Sequence, residues 1–345
     1  MPITFNATSG ITFNDGSTQN TRPAVGFRNR IINGDMRIDQ RNAGASVTPT
    51  AVVYTLDRWL ASISQSSKIS IQRSSVVPSG QGYTNSLLVT SLASTSLGAS
   101  DAYYIVQNIE GFNTSDLDFG SSGSQSVTIS FWARSSVTGT FVVVLRSGAP
   151  DYSYPATYTI NSANTWERKT VTISGATSGT WASDNTLWGG LFFGLGAGSV
   201  FNATANTWGG GNAISVAGSA SVVGTNGATF YITGVQLEAG STATDFERRP
   251  IGTELALCQR YCYVATSEFV GVSINNTTVG GAFYAPVTMR ASPTFSGGSF
   301  AVSSGSAGTF GAINITARSA QLYNTATNWS TAANVNVTAT ASSEL

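Results

Sequence analysis

The stretch Phe230–Cys262, FYITGVQLEAGSTATDFERRPIGTELALCQRYC, decides how the chain is divided. Its opening residues run as a strand to Glu238, with Tyr231, Thr233, Val235 and Leu237 read on one face. Ala239-Gly240 ends that strand, and a polar passage of mixed charge leads to Pro250. Beyond Pro250 the residue types change to helix formers: Glu254, Leu255, Ala256, Leu257, Cys258, Gln259 and Arg260. Nothing else in the 345 residues reads as a convincing helix. A strand that closes one β body, a charged hinge and a lone helix before a second β region predict a chain of two β parts.

Working outward, composition supports an all-β reading. Charged residues make up 10% of the chain, against roughly 25% in an ordinary soluble protein. Glycine, with 37 copies, and Ser, Thr and Asn fill the places that Lys and Glu take on helix surfaces. Seven Trp, twelve Tyr and seventeen Phe supply a core, so the chain is not disordered. Net charge is zero, which gives no long-range field for nucleic acid or anionic membranes. One local basic run, Arg22, Arg28, Arg30, Arg37 and Arg41 against Asp35 and Asp39, is either an ion-paired surface or a docking face for a protein.

The N-terminus, MPITFNATSG, lacks the basic and apolar regions of a signal peptide, and no segment has the length of a membrane span. The two cysteines, Cys258 and Cys262, stand four apart on the predicted helix, where their Cβ vectors run parallel and suit a disulfide badly. With no histidine, a four-ligand zinc site is not expected. Two reduced, half-buried thiols are.

Residues 1–26 are too short and polar to fold alone, and Asn14-Asp15-Gly16-Ser17 reads as the turn of a hairpin that must dock elsewhere. From Phe27, Met36, Ile38 and Gln40 read as a short alternating strand between the turns at Asn33-Gly34 and Asn42-Gly44. Asp57-Arg58-Trp59 reads as a buried anchor. Strands are expected at 68–73, 86–92, 102–109, 126–134, 140–146, 157–160, 166–173, 190–195 and 229–237. Nine or ten strands without intervening helices predict a jelly-roll β-sandwich over 27–250. A helical neck at 251–263 and a smaller C-terminal β-sandwich at 264–345 complete the expected fold.

Three aromatic residues stand out in 180–212, where Asp184 is the one charge: Trp181, Trp188 and Trp208. Trp188, with Phe192 and Phe193, reads as core. Trp181 and Trp208 have two readings: core, or loop platforms that stack on sugar rings while Asp184 reads hydroxyls. Both readings stay open at this level.

Several segments carry a resemblance. GITFNDGSTQ (10–19), NGDMRIDQR (33–41), DRW (57–59), TYTINSANTWERKTVTI (157–173), FYITGVQLEAG (230–240) and ATDFERRPIGTELALCQRYC (243–262) occur in that order. Together they resemble a family of bacteriophage tail fibre proteins whose central domain is similar to carbohydrate-binding-module jelly rolls. VTMRASPT at 287–294 resembles a segment of the tip domains of such fibres. Cys262, where a further aromatic is expected, departs from the pattern. The resemblance implies a homotrimeric virion appendage, assembled in the host cytoplasm and attached to a tail or baseplate protein through residues 1–26. It also implies receptor binding to a host surface polysaccharide. No cofactor is implied beyond a structural calcium, for which Asp35 and Glu238 are the matching positions; an ion pair with Arg37 or Arg248 is the competing reading. Leu255, Cys258 and Cys262 either meet around a three-fold axis or pack on the preceding sandwich.

No enzyme is expected. Without histidine the Ser-His-Asp arrangement and most zinc hydrolase sites are excluded. Asp116 and Asp118 form the carboxylate pair that a glycan depolymerase would need, and their loop setting favours turn hydrogen bonds instead. A purely structural head or neck fibre is the remaining alternative.

Overall fold

A computed structural model describes residues 4–6, 10–12, 18–19, 28–271, 273–275, 278–302, 309–325 and 333–345. Near the N-terminus, β1 (Thr4–Asn6), β2 (Gly10–Thr12) and β3 (Thr18–Gln19) form a three-stranded antiparallel sheet. The hairpin expected at 10–19 is the β2–β3 pair, with Ile11 opposite Gln19. Its turn, and the virion-anchor expectation for 1–26 as a whole, lie largely outside the described residues.

The central body is a β-sandwich. Its strands are β4 (Val53–Tyr54), β5 (Leu60–Ser62), β6 (Ile69–Ser74), β7 (Ser86–Ser91), β8 (Ala102–Glu110), β9 (Val127–Ser135), β10 (Gly139–Ser147), β11 (Tyr152–Ile160), β12 (Glu167–Ile173), β13 (Leu187–Ala197), β14 (Gly209–Gly210) and β15 (Thr229–Ala239). Seven of them form one sheet in the order β14-β11-β10-β13-β8-β5-β4, and five form the other in the order β12-β9-β15-β7-β6. Pairing is antiparallel throughout these two sheets. The core between them follows from alternation: Val127, Ile129, Phe131 and Ala133 on β9 point inward, as do Phe141, Val143 and Leu145 on β10. Trp59 and Trp188 are fully buried there, as read from the sequence.

Two expectations are corrected. Residues 36–40 do not form a strand. Asn33 and Met36 adopt positive φ (57° and 59°), and the segment is a tight loop held by Asn33, whose Nδ2 donates to Ile38 O and Asp57 O. The second correction concerns β15. A bulge between Thr233 and Gln236, centred on Gly234, breaks the period of two. Tyr231 and Thr233 therefore face outward beside Arg134 and Trp132, whereas Val235 and Leu237 enter the core. Beyond the bulge β15 leaves β7, and residues 29–34 take over that edge through Val235 N to Gly34 O (2.9 Å) and Arg30 N to Leu237 O (2.9 Å).

Helix α1 (Ile251–Gln259) begins immediately after Pro250, which fits the first turn because its missing N–H has no helical partner to lose. Its buried face is Glu254 and Cys258, one turn apart. Glu254 accepts the Asn33 N–H and meets Arg249, while Cys258 packs with Ile32, Ile38 and Tyr261. The helix therefore rests on its own sandwich. Cys258 and Cys262 are completely buried within the chain and free, so neither has surface to offer a three-fold axis, and neither is half-buried as expected. Leu255 is half-buried against the same cluster.

The C-terminal region is a second, smaller sandwich. One sheet has the order β16-β22-β19 (Cys262–Gly271, Ala333–Ser342, Thr294–Val302), and the other β17-β18-β21-β20 (Ser273–Asn275, Thr278–Tyr284, Ser319–Thr325, Thr309–Ile313). Its core includes Ala265, Phe283, Met289, Leu322 and Ala341. The chain then returns to the first sandwich. Glu344 pairs with Arg58 and Arg41, and Leu345 O accepts from Tyr54 Oη (2.8 Å) and Asn108 Nδ2 (2.8 Å). Arg58 is fully buried and stacks on Tyr261 at 3.5 Å, and Arg260 and Tyr261 both bond Glu110. These contacts place a charged, largely buried network between the two sandwiches.

Candidate functional site

The residues singled out from sequence separate into two groups in space. Trp181 and Trp208 come together, as half-buried members of an aromatic cluster at the edge of the main sandwich. Trp208 stacks on Tyr152 at 5.2 Å with an interplanar angle of 1°, and meets Tyr154 and Trp181 edge-on. Its indole N–H donates to Ser174 O at 2.7 Å, and that of Trp181 donates to Ser178 O at 2.9 Å. Both rings also pack on Phe119 over the core. The protein uses both N–H groups and part of each ring surface, and leaves the rings partly exposed. Asp184 is a turn cap: its Oδ1 accepts from Thr186 N and Oγ1, which holds its carboxyl below the usual range. At Trp181 and Trp208, where a sugar platform was expected, the structure shows partly buried rings packed within the chain, and at Asp184 a turn cap.

Asp35 and Glu238 do not fit calcium. Asp35 is bound to the Arg37 guanidinium at 2.6 Å. Glu238 accepts from Gln236 Nε2 (2.8 Å), Thr244 N (2.9 Å) and Thr244 Oγ1 (2.6 Å), with Arg28 at 3.8 Å. Both carboxylates face hydrogen-bond donors and cations, whereas calcium takes six to eight oxygen ligands. No group of three His, Cys, Asp or Glu able to hold a metal occurs among the described residues. The basic run behaves likewise: Arg28, Arg30, Arg37 and Arg41 each meet a carboxylate, and Arg22 lies outside the described residues. Of the proposed depolymerase pair, Asp116 bonds Arg30 and Asp118 accepts from Ser121.

A different surface has the features of a binding site. The outward residues of the five-stranded sheet form adjacent rows, with Thr233 beside Trp132 beside Arg168, and Tyr231 beside Arg134. Over this face lies a recess of about 280 Å³, lined by Tyr83, Ser130, Trp132, Arg168, Asp245 and Arg248 among others. The bulge builds it. Gly234 has φ +62°, and a Cβ there would lie 2.4 Å from Tyr83 Oη, so only glycine lets Tyr83 approach the strand this closely. Tyr83 is held in turn by an edge contact with Phe246 (5.6 Å between centroids) and by Arg248, stacked on its face at 4.6 Å. Arg248 is fixed by Nη1 to Gly82 O (2.9 Å) and Nη2 to Gln81 O (2.6 Å). Partial burial raises the Tyr83 hydroxyl pKa while the two arginines oppose that shift, so the group remains a neutral donor and acceptor at physiological pH.

The arrangement combines half-buried aromatic side chains with hydroxyl, carboxylate and guanidinium groups around one shallow opening. Apolar ring faces that accept a sugar's C–H surface, with polar groups that meet its hydroxyls, are what such a ligand requires. Sequence reading missed this site. Trp132 sits mid-strand in SVTISFWAR, where period two does place it opposite Phe131, but Tyr83 and Arg248 reach it from loops remote in sequence.

No protein-family model matches the chain, and no curated protein matches it in sequence. Among solved structures it is similar to the enzymatically active domain of tailspike protein 4 of bacteriophage CBA120, with 11% identity, TM-score 0.31, and 61% of this chain against 21% of that one. The chain thus spans about a fifth of that tailspike's length. It is also similar to the family 11 carbohydrate-binding module of the Clostridium thermocellum cellulase Lic26A-Cel5E, with 15% identity, TM-score 0.27 and coverages of 59% and 99%. A third is the CBM22-1 xylan-binding domain of Paenibacillus barcinonensis Xyn10C, with 12% identity, TM-score 0.26 and coverages of 59% and 99%.

Proposed function

We propose that this protein is a tail-fibre-type virion appendage whose larger sandwich binds a host surface glycan in the recess over Trp132. The observation that carries the binding reading is the recess itself, with its half-buried tryptophan and tyrosine and its ring of polar groups. The resemblance of the segments from 10–19 to 243–262 supports the virion role and a homotrimer. In a trimer three shallow sites act together, and avidity compensates for weak single contacts. Attachment to a tail or baseplate protein belongs to residues 1–26 under this reading, and the protein resides in the assembled particle. The reading is of binding without cleavage. Asp245 is the one carboxylate lining the recess among the described residues, and glycoside hydrolysis ordinarily uses two.

The test is retention of labelled protein on immobilised bacterial surface polysaccharides, with the wild type beside Trp132→Ala. Retention of the wild type on at least one polysaccharide and its loss in Trp132→Ala are expected. Equal retention of the two proteins would show that the glycan sits elsewhere.

A further inference from the structure

The cations of the recess differ from other arginines of the chain. Arg28, Arg37, Arg249 and Arg260 are each paired with a carboxylate. Arg168, Arg248 and Arg134, on the outer face of the five-stranded sheet, bond only main-chain carbonyls: Thr244 O at 3.0 Å, Gly82 O and Gln81 O, and Asn164 O at 2.8 Å, respectively. None of the three lies within ion-pair distance of a carboxylate among the described residues. Arg168 and Arg248 line the recess together, Arg168 beside Trp132 on the next strand and Arg248 over the Tyr83 ring, with Asp245 as the opposing charge. Nearby Asp35 and Glu238 are already neutralised by Arg37 and Arg28. The guanidinium of Arg168 uses one nitrogen and keeps its remaining N–H groups toward solvent; that of Arg248 is pre-set by its carbonyl bonds and by stacking. One fixed guanidinium and a second with N–H groups open to solvent, beside aromatic side chains, suit a planar anion held by charge-assisted hydrogen bonds.

We infer that the recess selects an acidic glycan, with a sugar carboxylate held by Arg168 and Arg248, the ring on Trp132 and hydroxyls on Asp245. The inference rests on the glycan-binding reading above and adds to it the chemical class of the sugar. Charge-assisted bonds to one carboxylate account for at least about a tenfold share of affinity. They also make that share sensitive to salt, because the site is open to solvent.

The experiment uses the full chain and capsular polysaccharides immobilised in two forms, native and carboxyl-reduced, so that each uronic acid is compared with its neutral counterpart. Wild type, Trp132→Ala and the double variant Arg168→Gln/Arg248→Gln are measured at low and high salt, after thermal melts confirm that each is folded. Expected are binding to a native uronate polymer, a loss of at least about tenfold on reduction, the same loss in the arginine variant, and loss of both forms in Trp132→Ala. Equal binding of native and reduced forms, indifferent to the arginine changes, overturns the acidic class while leaving glycan binding intact. Arginine-dependent binding that survives reduction assigns the anion to sulfate or phosphate and overturns the carboxylate. If Trp132→Ala binds as the wild type does, the recess is not the site and both readings fall.

Discussion

Replacing Gly234 by alanine tests whether the bulge on β15 exists to seat Tyr83 over the recess. Gly234 has φ +62°, and a new Cβ would lie 2.4 Å from Tyr83 Oη and 2.6 Å from its Cζ. The backbone part of the cost is about 1 kcal/mol, the ordinary penalty for an L-residue in the left-handed region. The collision forces Tyr83 off the strand. It then loses its edge contact with Phe246 and its stacking with Arg248, which together contribute about 1–2 kcal/mol. The total is about 2–3 kcal/mol, a fall in Tm of about 4–10 °C for a domain of this size. Gly227 supplies the control, since it has φ +76° with nothing within 4 Å of a built Cβ. Gly227→Ala should therefore cost only the backbone part, about 1 kcal/mol. Chemical unfolding of Gly234→Ala, Tyr83→Ala and the double variant closes a cycle with an expected coupling of about 1–2 kcal/mol. In the Tyr83→Ala background Gly234→Ala should cost no more than Gly227→Ala does. Zero coupling, or retention of full glycan binding by Gly234→Ala, would refute the seating argument.

Other predictions follow from the same contacts. Trp208→Ala should lower stability by about 2–3 kcal/mol, less than a full core truncation because the ring is half-exposed, yet leave polysaccharide retention unchanged; calorimetry and binding on one preparation decide it. Glu344→Ala leaves the buried Arg58 without its carboxylate, so a loss of about 3 kcal/mol is expected, with faster proteolytic cleavage between the sandwiches. Burial raises the pKa values of Asp35, Asp57 and Glu254. For a carboxyl whose folded pKa exceeds its unfolded value, the charged form costs stability at neutral pH, and that cost is relieved as pH falls through the folded value. Stability measured by urea unfolding should therefore rise as pH falls through the raised folded values, and Glu254→Gln should reduce the rise. Glu167, held at about 2 by Lys169 and the Asn161 and Ser162 groups, acts with the opposite sign, its contribution disappearing only as pH falls below its unfolded value of 4.5. Light scattering of the full chain should give three times the mass of one chain, and a monomer at micromolar concentration would sink the trimer.

Strand positions were legible because each buried strand carries its own alternation. The stretches 126–134 and 166–173 match β9 and β12 to within a residue. Helix α1 was legible from Pro250 and the change of residue type after it. What alternation cannot carry is a change of phase. The bulge at Gly234 reverses which face Val235 and Leu237 take, and one glycine in a strand does not announce that. Residues 36–40 alternate like a strand yet form a loop, because Asn33 and its bonds to Ile38 and Asp57 override local preference. The tryptophans of 180–212 looked like platforms for being flanked by glycine and polar residues. Their partners, Phe119 from a turn and Tyr152 and Tyr154 from β11, pack against them and hold them partly buried. The recess needed Tyr83, Trp132, Arg168 and Arg248 brought from four separate segments, and no spacing in the chain reports that meeting. Cys258 and Cys262 were read as a possible contact between chains because a helix repeat says where residues face, not what covers that face.

The most direct measurement is a crystal structure of the full chain with a retained oligosaccharide bound. A sugar ring lying on Trp132, with Arg168, Asp245 or Arg248 within hydrogen-bond distance of its polar groups, is the predicted result. A ring stacked instead on Trp181 or Trp208, or seated on the C-terminal sandwich with the recess over Trp132 empty, would contradict it.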